Sequence, residues 1–134
     1  MLDAFSAYGL PLGEAFQLRD DILGTFGDPE VTGKAVGEDL REGKPTLLYA
    51  LVRQRANGEA ADLLSRRFGA ADLTGSEVAA LQQVFTSTGA RADCEVAIDR
   101  LVDQSLAAAE RLPVTDVARQ ALVDLARFVA GRNY

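Results

Sequence analysis

The chain has 134 residues with a formal net charge of −6, 48% apolar and 25% charged content, one cysteine, no histidine and no tryptophan. Those proportions are those of a folded domain, not a disordered segment, and the length predicts one domain, 1–134. They exclude imidazole acid–base or metal chemistry and an internal disulfide, and the acidic balance with no basic stripe argues against a nucleic-acid partner. No apolar run approaches the ~20 residues of a membrane span, and the start, MLDAFSAYGLPLGEAF, carries no early positive charge, so no signal peptide is expected. The lone Cys94 fits a reducing, cytoplasmic setting and reads as a packing residue.

In chain order, the first predicted helix is apolar on most sides: Phe5, Tyr8, Leu10, Leu12, Ala15, Phe16, Leu18, Ile22 and Leu23 leave little polar surface. Such a helix is usually central and covered by several neighbours, and the rest of this chain is expected to supply too few of them, leaving an apolar face uncovered. Pro11 should kink it or mark a restart, and Gly24 to Gly27 should close it. In KPTLLYALVRQRA, Pro45 takes a first-turn position and Gly58 follows the end. LTGSEVAALQQVF offers Thr74 and Glu77 as a capping box, with Val78, Leu81, Val84 and Phe85 on one face and Gly89 as a stop. From about Asp93, the set Ala97, Ile98, Leu101, Val102, Ser105, Leu106, Ala109 and Leu112 keeps helical spacing until Pro113. The last helix shows Ala118, Ala121, Leu122, Leu125, Phe128 and Val129 on one side and stops at Gly131. No segment alternates as a strand would. The fold class expected is all-α, a helical bundle.

Charge is concentrated at the front. Residues 1–45 hold nine acidic and four basic residues, a net −5, and seven of the twelve glycines. Within this stretch Gln17, Asp20 and Asp21 stand three and four residues apart, on one side of the first helix. Adjacent carboxylates in its last turns repel each other and oppose the helix macrodipole, a conflict of some tenths of a kcal/mol each. One reading is a solvated helix end. The other is a site for a hard divalent cation, since Mg²⁺ takes one or two carboxylates together with substrate phosphates.

The lysines bear on that choice. The chain uses arginine twelve times and lysine twice, at Lys34 and Lys44, each after a glycine. A compact ammonium suits a phosphate differently from a planar guanidinium, and a preceding glycine lets backbone approach a ligand closely. Carboxylates for Mg²⁺ and ammoniums for phosphate oxygens together suggest a diphosphate site.

The stretch FQLRDDILGTFGDPEVTGKAVGEDLREGKPTLL resembles the second aspartate-rich region of the trans-isoprenyl diphosphate synthases. Phe16, Gln17, Asp20, Asp21, Gly33, Lys34, Gly37, Asp39, Leu40, Gly43, Lys44 and Thr46 match that family's pattern. The resemblance implies the C-terminal part of the isoprenoid synthase fold. It implies that Asp20 and Asp21 hold Mg²⁺ against an allylic diphosphate, with Asp20 the more direct ligand. Lys34 would contact that diphosphate, Lys44 would support it, and Gln17 would orient the substrate. The reaction implied is ionisation of the allylic diphosphate, attack by isopentenyl diphosphate and proton loss.

Two departures stand out. Gly24 occupies the place of the family's usual third aspartate, a form not read as inactivating. The first aspartate-rich motif and the isopentenyl-diphosphate-binding Gly-Lys-x-x-Arg are absent from the sequence. The chain is therefore expected to be the C-terminal portion of such an enzyme, inactive alone. It is expected to associate as a homodimer or with a missing N-terminal half. The alternatives are a non-catalytic partner subunit of a prenyltransferase, or a plain helical interaction module.

Overall fold

The computed structural model describes residues 2–27 and 36–131. Among them every regular element is a helix: α1 (Leu2–Phe26), α2 (Glu38–Glu42), α3 (Leu47–Arg55), α4 (Gly58–Arg67), α5 (Gly75–Ser87), α6 (Ala90–Ala109) and α7 (Asp116–Ala130). The all-α expectation holds. Among the described residues no helix is long and apolar enough to cross a membrane. The described residues pack as two compact units: 2–19 with 95–131, and 20–27 with 36–94. α1 and α6 each begin in one unit and end in the other.

The first unit is built from the front of α1, most of α6, and α7. Its buried apolar residues include Tyr8, Leu12, Ala15, Leu18, Ile98, Val102, Leu112, Ala126 and Val129. Fully burying a side chain such as Ile98 contributes about 1.5–3 kcal/mol, so a few such positions hold the packing. α1 runs through Pro11 as one helix, without a restart. One turn before the proline, the Ser105 hydroxyl donates to the Tyr8 carbonyl at 2.8 Å, and the Tyr8 hydroxyl donates to the Leu122 carbonyl at 2.7 Å. Side-chain donors of this kind steady a helix whose ladder proline interrupts. Burial raises the Tyr8 pKa, keeping the phenol a donor.

Helix C-termini leave carbonyls without intrahelical partners. Here arginine gathers them. Arg19, 4% exposed, donates to the carbonyls of Val129 (3.5 Å) and Ala130 (3.2 Å) at the end of α7. It also holds both Glu95 carboxylate oxygens, at 3.0 and 3.1 Å. Arg119 does the same beyond α6, donating to Ala109 (3.2 Å) and Leu112 (2.7 Å). The planar five-donor fork lets Arg19, buried, and Arg119, partly exposed, each fasten more than one acceptor.

In α7 the apolar side read from spacing is only partly inside. Val129 is buried, but Leu125 and Phe128 are 49% and 63% exposed. Ala126, small and absent from the predicted face, is fully buried. α1 leaves apolar side chains uncovered, as expected from the few neighbours this chain supplies, with Leu10 70% and Phe16 57% exposed.

In the second unit α3 and α4 both pack against α5. Leu40, Leu48, Val52, Leu81 and Phe85 are fully or almost fully buried. The Thr74–Glu77 capping box is formed: the Glu77 N–H donates to the Thr74 hydroxyl and the Thr74 N–H to the Glu77 carboxylate, both at 3.1 Å. Gly89 closes the α5–α6 turn at φ 79°. Three boundaries differ from expectation. Pro45 precedes α3 instead of opening it, because Thr46 is the N-cap and its hydroxyl accepts from the Tyr49 N–H at 3.0 Å. Gly58 opens α4 instead of ending α3. α6 starts at Ala90, three residues before the spacing suggested. Cys94 is buried on it, as expected of a packing residue.

Candidate functional site

The last turns of α1 carry an excess of negative potential. The helix has no basic residue in its final turn, so nothing on α1 itself offsets the negative end of the macrodipole. Asp20 and Asp21 add two carboxylates there. The Thr25 carbonyl is satisfied by the Gln82 side-chain amide at 2.7 Å, and the Arg91 guanidinium lies 4.1 Å over the Phe26 ring. These contacts pin the helix end.

The compensating cation comes from the turn after α2. That helix has five residues, bounded by Gly37 at φ 69° and Gly43 at φ 68°. A left-handed residue costs a side-chain-bearing amino acid roughly 1–2 kcal/mol, so glycine is required at both ends. Gly43 also abuts backbone: a Cβ there would lie 3.0 Å from the Gly69 Cα, and the Gly69 N–H donates to the Leu40 carbonyl at 2.7 Å. The glycine before Lys44 thus serves helix termination and close backbone packing. Ligand approach, the role read from sequence, is not needed to explain it.

Lys44 follows at once, its N–H donating to the Asp39 carbonyl at 3.1 Å. Its ammonium reaches Asp20 Oδ2 at 3.7 Å, Asp21 Oδ1 at 3.8 Å and Asp39 Oδ2 at 3.9 Å. Three carboxylates around one ammonium leave a local charge of −2 before other residues are counted. Asp21 and Asp39 are almost wholly buried, while Asp20 and Lys44 remain about a third exposed and face solvent. Partial burial pulls the Lys44 pKa down, but Asp39, Asp21 and Asp20 outweigh it and carry the pKa above its ordinary 10.5. The pairing therefore contributes fully below the ordinary lysine range and is lost only as pH rises through that higher value.

Of the residues read from sequence, Asp20, Asp21 and Lys44 come together here. Gln17 is an exposed residue of α1 in the first unit. Lys34 and its glycine lie outside the described residues. Asp39 was matched as a motif residue without a role, and nothing local marks its carboxylate as a neighbour of Asp20 and Asp21. Among the described residues no three side chains stand close enough to enclose a metal ion by themselves. The donor chemistry is nonetheless that of a hard cation: carboxylate oxygens only, two of them on adjacent residues, with an open solvent side. It fits Mg²⁺ in the form in which one or two carboxylates hold it and phosphate oxygens complete the shell.

A family model for polyprenyl synthetases matches residues 1–86. An all-trans-nonaprenyl-diphosphate synthase (geranyl-diphosphate specific) of Rhodobacter capsulatus is 36% identical over 120 residues, covering 90% of this chain and 36% of that protein. The crystal structure of a geranylgeranyl pyrophosphate synthase from Corynebacterium glutamicum, complexed with isoprenyl diphosphate and magnesium, superposes with a TM-score of 0.92 at 40% identity, over 98% of this chain and 37% of that one. A polyprenyl synthase from Caulobacter crescentus, complexed with calcium and isoprenyl diphosphate, gives 0.83 at 34% identity, over 98% and 40%. The chain thus spans little more than a third of the length of the relatives it matches. With the family model covering well over half of its residues, and the fold shared with solved members, this chain belongs to the polyprenyl synthetase family.

Proposed function

We propose that the chain supplies the second aspartate-rich, diphosphate-binding region of a trans-prenyltransferase that condenses isopentenyl diphosphate with an allylic diphosphate. The observation that carries this reading is the Lys44 ammonium held within 4 Å of Asp20 and Asp21 at the solvent-facing end of α1. Asp20 and Asp21 hold Mg²⁺. When bound, the ion neutralises charge on the diphosphate oxygens and so eases departure of the leaving group. Lys44 and Lys34 aim positive charge at the same oxygens, and Gln17 orients the allylic substrate. As the carbon–oxygen bond breaks, negative charge grows on the diphosphate, and fixed ammoniums stabilise that growth without reorganising.

The sequence holds no Asp-Asp-x-x-Asp and no Gly-Lys-x-x-Arg. In this reading the 134-residue chain binds Mg²⁺ and diphosphate weakly and turns nothing over alone. A cytoplasmic setting suits its single cysteine. Calorimetric titration with pyrophosphate in the presence and absence of Mg²⁺ tests the site. Binding should require Mg²⁺ and should vanish in a Lys34→Ala, Lys44→Ala variant. Equal binding by both chains would refute it, and turnover of the two diphosphates by the chain alone would refute inactivity.

A second reading, a non-catalytic partner subunit, is favoured by the apolar surface of the first unit, where Leu10, Phe16 and Phe128 are each more than half exposed. Such a surface marks an association site, occupied here by a second copy or by another prenyltransferase chain. Light scattering across a concentration series separates the two: a strict monomer that still binds Mg²⁺ and pyrophosphate counts against the subunit reading.

A further inference from the structure

Both flanks of Lys44 rest on the corner that joins α4 to α5. On the N-terminal flank, Gly43 lies against Gly69, close enough that a Cβ on Gly43 would come within 3.0 Å of the Gly69 Cα. Both glycines are left-handed, at φ 68° and 87°, and the Gly69 N–H donates to the Leu40 carbonyl of α2 at 2.7 Å. On the C-terminal flank, the Lys44 carbonyl accepts from the Thr46 N–H at 2.9 Å, and the Thr46 hydroxyl caps α3 through the Tyr49 N–H. The Tyr49 ring then stacks on Phe68, with ring centroids 3.9 Å apart and planes 9° from parallel. Phe68 and Gly69 are consecutive residues. A further tie joins α2 to the same corner, where the Arg41 guanidinium donates to the Leu73 carbonyl at 3.3 Å.

α2 cannot hold this place by itself. It has five residues, and a helix of that length is not stable without tertiary contacts. The turn after it inherits the same need. The Lys44 side chain adds little fixity, because its ammonium ends a flexible four-carbon stem. That ammonium stands 3.7 to 3.9 Å from carboxylate oxygens of Asp20, Asp21 and Asp39, longer than a direct hydrogen bond. The origin of the stem is therefore set by backbone, and that backbone is held by residues 68 and 69. Positive charge stabilises a growing anion best when its position is set beforehand.

Building on the diphosphate-site reading above, we propose that Phe68 and Gly69 are positioning residues for Lys44, setting from the α4–α5 corner where its ammonium meets the diphosphate. They act through the backbone on either side of the lysine. Gly69 sets how closely the turn after α2 approaches the corner. Phe68 sets the angle at which the chain enters α3, since a stacked ring pair fixes orientation as well as distance. An aliphatic side chain in place of Phe68 would fill space without fixing that angle.

The test is calorimetric titration of the 134-residue chain with pyrophosphate in the presence of Mg²⁺, each variant being measured well below its melting midpoint. Phe68→Leu should lose about tenfold in affinity, a loss of the size seen when a residue supporting a binding group is removed, and Gly69→Ala at least as much. Phe68→Tyr keeps the stack and should bind within about twofold of the parent chain. Thr115→Ala removes the N-cap of α7 in the other unit; it should melt lower and yet bind like the parent. In a Lys44→Ala background, Phe68→Leu should cost little more, because its effect runs through that lysine. If Lys44→Ala loses affinity while Phe68→Leu binds like the parent, the site stands and the corner has no part in placing it. An equal loss in Phe68→Tyr or Thr115→Ala, or a full further loss in the Lys44→Ala background, means general loosening and also overturns the proposal. Should Gly69→Ala fail to fold, the Phe68 variants decide. If Lys44→Ala binds like the parent, or the parent shows no Mg²⁺-dependent binding, the diphosphate reading itself is wrong and this proposal falls with it.

Discussion

The two units spend their charged residues differently. In the first, arginine is internal: Arg19 is buried, ties Glu95 and closes the end of α7, while large apolar side chains such as Leu10 and Phe128 face outward. In the second, the buried charges among the described residues are acids, Asp21 and Asp39, and Lys44 at the surface reaches both. A guanidinium offers several fixed directions and suits carbonyls that never move. An ammonium offers a point charge free to turn, and suits a ligand that comes and goes. The contrast is between buried charge that ties helix ends and buried charge gathered near a partly exposed ammonium.

Substitutions can break or sharpen that contrast. The largest effect should come from Arg19→Ala. It leaves Glu95 without its buried partner and two α7 carbonyls without their donor, and should cost about 3–5 kcal/mol in urea unfolding. A loss below 1 kcal/mol would mean the fork is dispensable. Next, Gly43→Ala should cost about 2 kcal/mol, from a left-handed backbone and a Cβ pressed on Gly69. Because this glycine aims Lys44, Mg²⁺-dependent pyrophosphate affinity should fall with stability, which it should not do for Arg19→Ala variants that remain folded.

Thr74→Ala should cost about 1 kcal/mol by removing one half of the capping box. The Thr74 N–H, followed by Arg67, holds the Glu77 carboxyl below its ordinary 4.5. The charged form is favoured by folding, so its contribution is present above that ordinary value and is lost as pH falls through the lower folded one. Glu77→Gln should therefore lower the melting midpoint at neutral pH, and its difference from the parent chain should shrink in acid. The smallest effect belongs to Phe128→Ser, which removes an exposed ring. Stability should change by less than about 0.5 kcal/mol, while self-association in light scattering should weaken. An unchanged association state would move the contact surface elsewhere.

What could be read from sequence was what lies close in sequence. Thr74 and Glu77 announce a cap because both partners sit within one turn, and Gly89 ends its helix by local backbone geometry. The all-α class follows from spacing alone. The paired aspartates and Lys44 were legible as chemistry, through their residue types and the family resemblance. The Gly24–Asp39 contact was not, since it joins residues fifteen apart through a close approach that no periodicity encodes. α2 is one turn long and too short for a period, and α4 buries one side chain, Leu64, so its apolar stripe is thin. Leu125 and Phe128 fit a helical stripe but lie outside, because spacing identifies a common face and not what covers it.

The buried Cys94 has a practical consequence. It lies where α6 leaves one unit for the other, and no second sulfhydryl competes with it for a reagent. Alkylation at that sulfur must wait for the surrounding helices to part. The rate at which a mild electrophile modifies the chain is therefore a clock for local opening of the packing around Cys94, readable by mass spectrometry without any engineered probe.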